Sequence, residues 1–278
     1  MLFVCGVRFC VRIMTLVELV ERLEGLLAET EGVVVAFSGG VDSTLLAHLA
    51  VKVLGERAVA VTANLSSLAP DGLGVARRVA CELGIQHRVV DYDELSLFGV
   101  AENGRDRCYY CKKGLFRHLW VVARELGLGV VVDGTSSSDL EGWRPGYRAA
   151  LEACVLMPYV ECDVGRDEIR AISARFGLSD QGGLHATCLS TRFPYGQRIT
   201  VEAIRRVGLS EEYLRGLGLG EFRVRDHGGI ARIEVEPSEF GVIVDRCCEV
   251  SDHLRGLGFR YVTLDLEGFR SGSMDEVG

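Results

Sequence analysis

The chain reads as an α/β protein: a Rossmann-like parallel sheet with a small α+β domain at its C-terminal end. Three observations predict this. Short β-branched runs alternate with helix-length amphipathic segments over the first 160 residues, the pattern of βαβ units. Several of those runs are continuously apolar, as in strands buried on both faces. Past about residue 195 the texture changes to a hairpin, a helix and one more extended run.

In order, Thr15 to Glu29 carries apolar residues at 16, 19, 20, 23, 26 and 27, the spacing of a helix with one buried stripe. "VVVAF" (33–37) is the first buried strand. "TLLAHLAVKVLG" (44–55) is a helix stopped at Gly55. "AVAVTAN" (58–64) is the second strand, "DGLGVARRVACELG" a helix, and "QHRVVDYD" (86–93) the third strand. "CKKGLFRHLWVVARELG" is a long helix, "VVVDGT" (130–135) the fourth strand and "EACVLMPYV" a fifth. "EFRVRDHGGIARIEVEP" (221–237) reads as a hairpin around Gly228-Gly229, followed by a helix over 238–256 and "FRYVTLDLEG". The expected organisation is an extension at 1–13, a parallel-sheet domain over 14–194, and a small C-terminal domain over 195–278.

The 278 residues suffice for one large core, or one core and a smaller domain. The composition, 48% apolar and 25% charged, is that of a globular protein. A net charge of -8 argues against nucleic acid as a partner, because a polyanion needs a basic footprint. No apolar run reaches bilayer length. The first residues lack the order of a secretory leader, so a cytoplasmic location is expected. Ten cysteines without such a leader argue for free thiols rather than disulfides, most of them as small core residues.

"AFSGGVDST" (36–44) places two glycines and two serines between a strand and a helix. Backbone N–H groups in such a turn, followed by a helix N-terminus, make an anion site. Gly39 and Gly40 allow close approach, and Ser38 and Ser43 add hydroxyls. The lysine of the common phosphate loop is missing. SGGVDS matches instead the PP-loop of ATP pyrophosphatases, which cut ATP between its α and β phosphates. Asp42 is the expected Mg²⁺ partner. Ligands of parallel sheets sit beyond the strand ends where the strand order reverses. This loop and "DGTSSSD" (133–139) form one crevice if the first and fourth strands are neighbours. Asp133, Thr135 and Ala63 are then expected nucleotide contacts, although a βα turn also uses Asp and Thr for local bonding.

Sulfur is the second theme. Cys108 and Cys111 stand in C-x-x-C spacing at a helix start, and residues three apart share a face. Cys188 lies in a polar, loop-like stretch. Arg107, Lys112 and Lys113 would favour thiolates. Three readings stand open. The cysteines are structural; or they bind zinc with His185 as fourth ligand; or they hold an iron–sulfur cluster, leaving one iron free of protein.

"AFSGGVDST", "RCYYCKKGLF", "DGTSSSDLEGWRPGYRA", "CLSTRFPYG", "RVRDHGGIARIEV" and "LDLEGFRSGSM" together resemble the LarE family of sulfur-inserting PP-loop enzymes. The resemblance runs from about residue 15 to 275. It implies ATP-dependent adenylation of a carboxylate on a pyridinium-3,5-dicarboxylate mononucleotide, sulfur attack, and release of AMP and pyrophosphate, in nickel-pincer nucleotide biosynthesis. It implies ATP and Mg²⁺ as cofactors and a homo-oligomer. The family has two types: one sacrifices the sulfur of a lone cysteine in the CLxxR stretch, and the other joins that cysteine to a C-x-x-C to hold a [4Fe–4S] cluster. Having both parts, this chain resembles the cluster type, with Cys108, Cys111 and Cys188 as ligands. The family places a phosphate site at "RVR", so Arg223 and Arg225, which share one face of a strand, are expected to grip the substrate phosphate. Arg192 is expected beside a carboxylate or the AMP phosphate. Glu234 is a metal or substrate contact, or a partner for Arg232. Asp139 stands alone where the family often shows paired acids. Trp143 and Arg144 are expected to pack or stack near the nucleotide. Rival readings are a tRNA thiolase, an amide-forming synthetase and a non-catalytic nucleotide-binding regulator.

Overall fold

The computed structural model describes residues 14–140, 145–178, 188–270 and 272–274. Elements follow the chain as α1 (Leu16–Ala28), β1 (Val33–Ala36), α2 (Val41–Leu54), β2 (Ala58–Asn64), α3 (Gly72–Leu83), β3 (Gln86–Asp91), α4 (Arg107–Leu126), β4 (Val130–Val132), α5 (Pro145–Glu152), α6 (Pro158–Glu161) and α7 (Arg166–Arg175). After them come α8 (Val201–Arg215), β5 (Phe222–Asp226), β6 (Ile230–Val235), α9 (Phe240–Asp245), α10 (Cys247–Gly256) and β7 (Tyr261–Leu264).

The first four strands form a parallel sheet in the order β3-β2-β1-β4. Successive side chains of a strand point to opposite faces, and here both faces are covered. Val33 and Val35 pack with α1, α2 and Tyr159. Val34 joins Val59, Val131, Phe116 and Leu119 on the α4 side. That double burial is why β1 and β2 read as unbroken apolar runs. Helix α1 is set by a capping box: the Thr15 hydroxyl accepts from Glu18 N at 3.3 Å, and Glu18 Oε2 accepts from Thr15 N at 2.8 Å.

The expected fifth strand does not form. Leu156 makes one parallel bridge to Val132, and the run is cut on both sides. Cys154 takes a left-handed φ of 52°, and Pro158 starts α6. A proline at the first helical position removes a donor that a strand would need. The helix expected over 238–256 breaks at Arg246 into α9 and α10. Cysteine usage also departs from expectation. Cys162 is buried, whereas Cys81, Cys154, Cys247 and Cys248 are exposed. No helix among the described residues is long and apolar enough to cross a membrane.

The second sheet has the order β5-β6-β7, with β5 and β6 antiparallel across Gly228-Gly229 and β7 parallel to β6. Its core joins Val224, Ile233 and Val235 to Val207 of α8 and Leu254 of α10. Leu189, Phe193 and Ile199 belong to the same core, so the segment after Cys188 is anchored there.

Helix α5 is held on α4 by polar contacts around Glu152. Its carboxylate accepts from Tyr109 Oη at 2.6 Å, from Arg148 Nε at 3.0 Å and from Lys113 Nζ at 3.2 Å. These bonds, Tyr109 first and then Arg148, hold the Glu152 carboxyl down at about 2, against an ordinary 4.5. A depressed carboxyl contributes stability above its unfolded pKa and loses it as pH falls through the folded one. Wild-type stability should therefore decline between pH 4.5 and about 2 with a component that Glu152→Gln removes. Urea denaturation across that range reads the difference; parallel curves would show that Glu152 contributes nothing.

Candidate active site

The turn between β1 and α2 is shaped by Gly39, whose φ is 75°. A Cβ there would stand 3.0 Å from Ala76 Cα in α3, so both backbone angle and space require glycine. Ser43 Oγ donates to Gly40 O at 3.1 Å and accepts from Ser38 N at 3.2 Å; the two serine hydroxyls are 3.1 Å apart. Helix α2 has no side-chain N-cap. Its first N–H groups are open to an anion, and the helix dipole favours one.

β1 pairs with both β2 and β4, so the turns after β1 and β4 lie side by side. A Cβ on Gly134 would stand 3.4 Å from Ser43 N, which measures how closely they approach. The expected crevice is present. Asp42 sits in it with its carboxyl raised, first by burial and then by Asp139, while Arg166 and Arg170 oppose the rise. Its carbonyl accepts from Tyr159 Oη at 2.8 Å. Asp139 is held below the ordinary range: burial alone would raise it, but Ser136 N–H and hydroxyl and Arg166 outweigh that. Asp133 accepts from Thr135 N at 3.0 Å and pairs with Lys112 at 3.2 Å. Ala63 is buried at the end of β2.

Cys108 is exposed in the first turn of α4, and Cys111, one turn on, is half-buried. Cys188, also exposed, enters from the segment anchored on the second core. The Cys111 thiol is pushed up, first by burial and then by Cys188, Glu94 and Cys108, with Arg107 opposing. The three sulfurs thus act on one neighbourhood. Of the three cations expected to favour thiolates, Arg107 does face sulfur, 3.8 Å from Cys108 Sγ. Lys112 is taken by Asp133, and Lys113 by Glu152 and Tyr109. Among the described residues no three histidine, cysteine, aspartate or glutamate side chains close on a single ion. His185, Trp143 and Arg144 lie outside the described residues.

The arginines divide by partner. Arg192, 3% exposed, gives Nε to Glu211 Oε1 at 2.6 Å. Arg225 pairs with Glu234 at 2.8 Å and donates to Thr191 O and Ser273 Oγ. Glu234 is wholly buried and also accepts from Arg232 at 2.7 Å and from the Ser273 hydroxyl at 2.8 Å. Its oxygens are engaged within the protein, which fits the ion-pair reading rather than a metal contact. Among the described residues Arg223 donates to Phe222 O at 2.6 Å, pairs loosely with the half-exposed Glu221 at 3.4 Å and lies over the ring of Phe269. Burial and the nearby charge of Arg192 lower its pKa. A desolvated guanidinium next to like charges is suited to receive an anion.

A cavity of about 1100 Å³ lies between the turn after β4, the start of α4 and the second sheet. Thr135, Asp139 and Arg166 line it on the crevice side, Cys108 on the sulfur side, and Arg192, Arg223 and Arg225 on the second-sheet side. Glu211 and Asn103 escaped sequence reasoning. Their partners, Arg192 and the carbonyl of Pro194, lie 19 and 91 residues away in the chain.

The NAD synthase family profile matches residues 16–103, the span that holds the β1–α2 turn. An uncharacterized protein of Synechocystis sp. is 41% identical over 92% of this chain and 97% of its own. The pyridinium-3,5-bisthiocarboxylic acid mononucleotide synthase of Lactiplantibacillus plantarum is 38% identical over 92% of this chain and 93% of its own. A tRNA-specific 2-thiouridylase of Nitrobacter winogradskyi is 31% identical over 56% of this chain and 48% of its own.

Arg225→Ala removes one of the two cations on buried Glu234, leaving Arg232 and Ser273, and should cost about 2–3 kcal/mol of stability. Arg223→Ala, which leaves no buried charge unpaired, should cost about 1 kcal/mol or less. Chemical denaturation of the two variants checks the order; equal losses would contradict the division drawn between them.

Proposed function

Because the chain belongs to the family of pyridinium-3,5-bisthiocarboxylic acid mononucleotide synthase, a family of PP-loop proteins, we propose that it is an ATP-dependent sulfurtransferase. It inserts sulfur into a pyridinium-3,5-dicarboxylate mononucleotide for nickel-pincer nucleotide biosynthesis. The observation that carries this reading is the strand order that sets the glycine turn after β1 against the turn after β4, next to a cavity lined by Thr135, Asp139, Cys108 and the weakly paired Arg223.

In this reading residues 14–194 bind ATP and residues 195–278 bind the substrate and a second copy of the chain in the cytoplasm. A substrate carboxylate oxygen attacks the α-phosphorus, the bond to the β-phosphate oxygen breaks, and pyrophosphate leaves. Ser38, Gly39, Gly40 and Ser43 cradle the departing pyrophosphate through backbone N–H and hydroxyl donors. Asp42, whose carboxyl is raised first by burial and then by Asp139, would hold Mg²⁺. Ala63, Asp133 and Thr135 line the nucleotide. Arg223 takes the substrate phosphate, Arg225 and Glu234 fix the strand that presents it, and Arg192 faces the reacting carboxylate or the AMP phosphate. A sulfur nucleophile then attacks the carbonyl carbon, and AMP leaves with the oxygen.

Cys108 and Cys111 on one helix turn and Cys188 on the segment that Arg107 ties to it would hold a [4Fe–4S] cluster with one iron free of protein, once the three sulfurs closed on it. Such a cluster, when bound, supplies the sulfide. A second reading makes Cys188 the sacrificial donor. It is supported by that residue's exposure and by the lack of a closed three-ligand group among the described residues.

Oxygen-free protein tests both. The first reading expects a brown protein with roughly four irons and four sulfides per chain, lost in each of Cys108→Ser, Cys111→Ser and Cys188→Ser. Colourless protein that loses the mass of hydrogen sulfide from Cys188 on turnover would replace it with the second. No AMP release from the pyridinium substrate in either state would reject the enzyme reading altogether.

A further inference from the structure

Three buried polar residues lie beside the sulfur site: Glu94 (1% exposed), Asn103 (0%) and Arg107 (5%), of which Arg107 also lines the cavity. Burying such groups is costly unless each is bonded; Asn103 and Arg107 bond the backbone of residues 190–196 directly, and Glu94 bonds a segment that in turn bonds Leu189. Arg107 Nη1 donates to Ser190 O at 2.9 Å and to Asn103 Oδ1. Asn103 Nδ2 donates to Pro194 O at 2.7 Å and Phe193 O at 3.3 Å, and Asn103 O accepts from Gly196 N at 2.9 Å. Asn103 has a φ of 55°, a left-handed conformation that asparagine tolerates better than most residues. Its side chain and carbonyl can therefore face the same segment. Ala101 O accepts from Ile199 N at 2.7 Å. From the other side, Glu94 accepts from Ser66 N at 3.1 Å and Ser67 N at 2.8 Å, and Ser67 O accepts from Leu189 N at 2.9 Å.

We propose that Glu94, Asn103 and Arg107 are positioning residues that clamp residues 189–199 and so hold Cys188 over the Cys108–Cys111 turn. Cys188 is exposed, and its backbone has no sheet to fix it. The clamp supplies that constraint. Arg107 is central because the same guanidinium bonds Ser190 O, two residues from Cys188, and points Nη2 at Cys108 Sγ, 3.8 Å away. Among the described residues no carboxylate forms an ion pair with it. Its acceptors are an amide oxygen, a peptide oxygen and sulfur, so it links the two sulfur-bearing segments rather than neutralising an acid.

The proposal rests on the sulfur site of the functional reading, and its test needs neither ATP, substrate nor cluster. Dibromobimane joins two thiols only when they are a few ångströms apart. It is applied to reduced, metal-free full-length protein carrying Cys247→Ser and Cys248→Ser, and the bridged peptides are mapped by mass spectrometry. The parent should bridge Cys188 to Cys108 or Cys111. Arg107→Met and Asn103→Ala should each cut that bridging about tenfold, while single-site alkylation of Cys188 by iodoacetamide persists and melting stays cooperative. Arg107→Lys, which keeps the charge but loses the fork, should recover only part. If Arg107→Met fails to fold, Asn103→Ala and Glu94→Gln decide. Undiminished bridging in folded variants, or no Cys188 bridge in the parent, would overturn the clamp. Failure to load iron with bridging intact would count against the cluster reading and leave the clamp standing.

Discussion

The architecture depends on the pairing of β1 with β2 on one side and β4 on the other. Strands β1, β2 and β3 follow one another outward, and the chain then returns to lay β4 on the far side of β1. The turns leaving β1 and β4 therefore open beside each other, and only there can two βα turns form one crevice. Gly39, Asp42 and Asp133 owe their proximity to that register, not to any attraction between them. Asp42 and Asp133 in fact repel. Lys112 offsets Asp133, and Arg166 offsets Asp139.

Charge is handled differently on the second sheet. There Arg192–Glu211 and Arg225–Glu234 are closed pairs in the core. Buried pairs of this kind add little net stability, but each partner is costly to remove alone. Their consequence is geometric: they fix the strand and the turn from which Arg223 reaches the cavity with weaker partners. The cavity therefore draws mobile charge from one arginine and rigidity from the others. The segment 188–199 spans the two systems, with Leu189, Phe193 and Ile199 in the second core and its backbone bonded to Asn103 and Arg107.

Much of this was legible from residue order. Parallel strands buried on both faces announce themselves as β-branched runs, and SGGVDS announces the phosphate turn because its glycines have a conformational job. The fifth strand misled because "EACVLMPYV" is apolar for a different reason. It meets the edge of the sheet beside β4 at Leu156 alone, with a left-handed Cys154 before and a helix-starting Pro158 after. The cysteines misled in the other direction, since small thiols at Cys247 and Cys248 are not required by packing. Charge pairing was least legible. Whether Arg225 or Lys113 is available for a ligand depends on carboxylates 9 and 39 residues away, and no local pattern carries that. Glu94 and Asn103 were invisible for the same reason: their function lies in backbone groups of a distant segment, which have no residue type.

The account stands on a nucleotide and a sulfur centre meeting in one cavity. Anoxic crystals grown with AMP and measured at the iron absorption edge test this directly. The account predicts an anomalous peak beside Cys108, Cys111 and Cys188, across the cavity from an AMP whose phosphate lies between the SGGVDS turn and Arg192. AMP bound elsewhere, or iron found away from those cysteines, would contradict it.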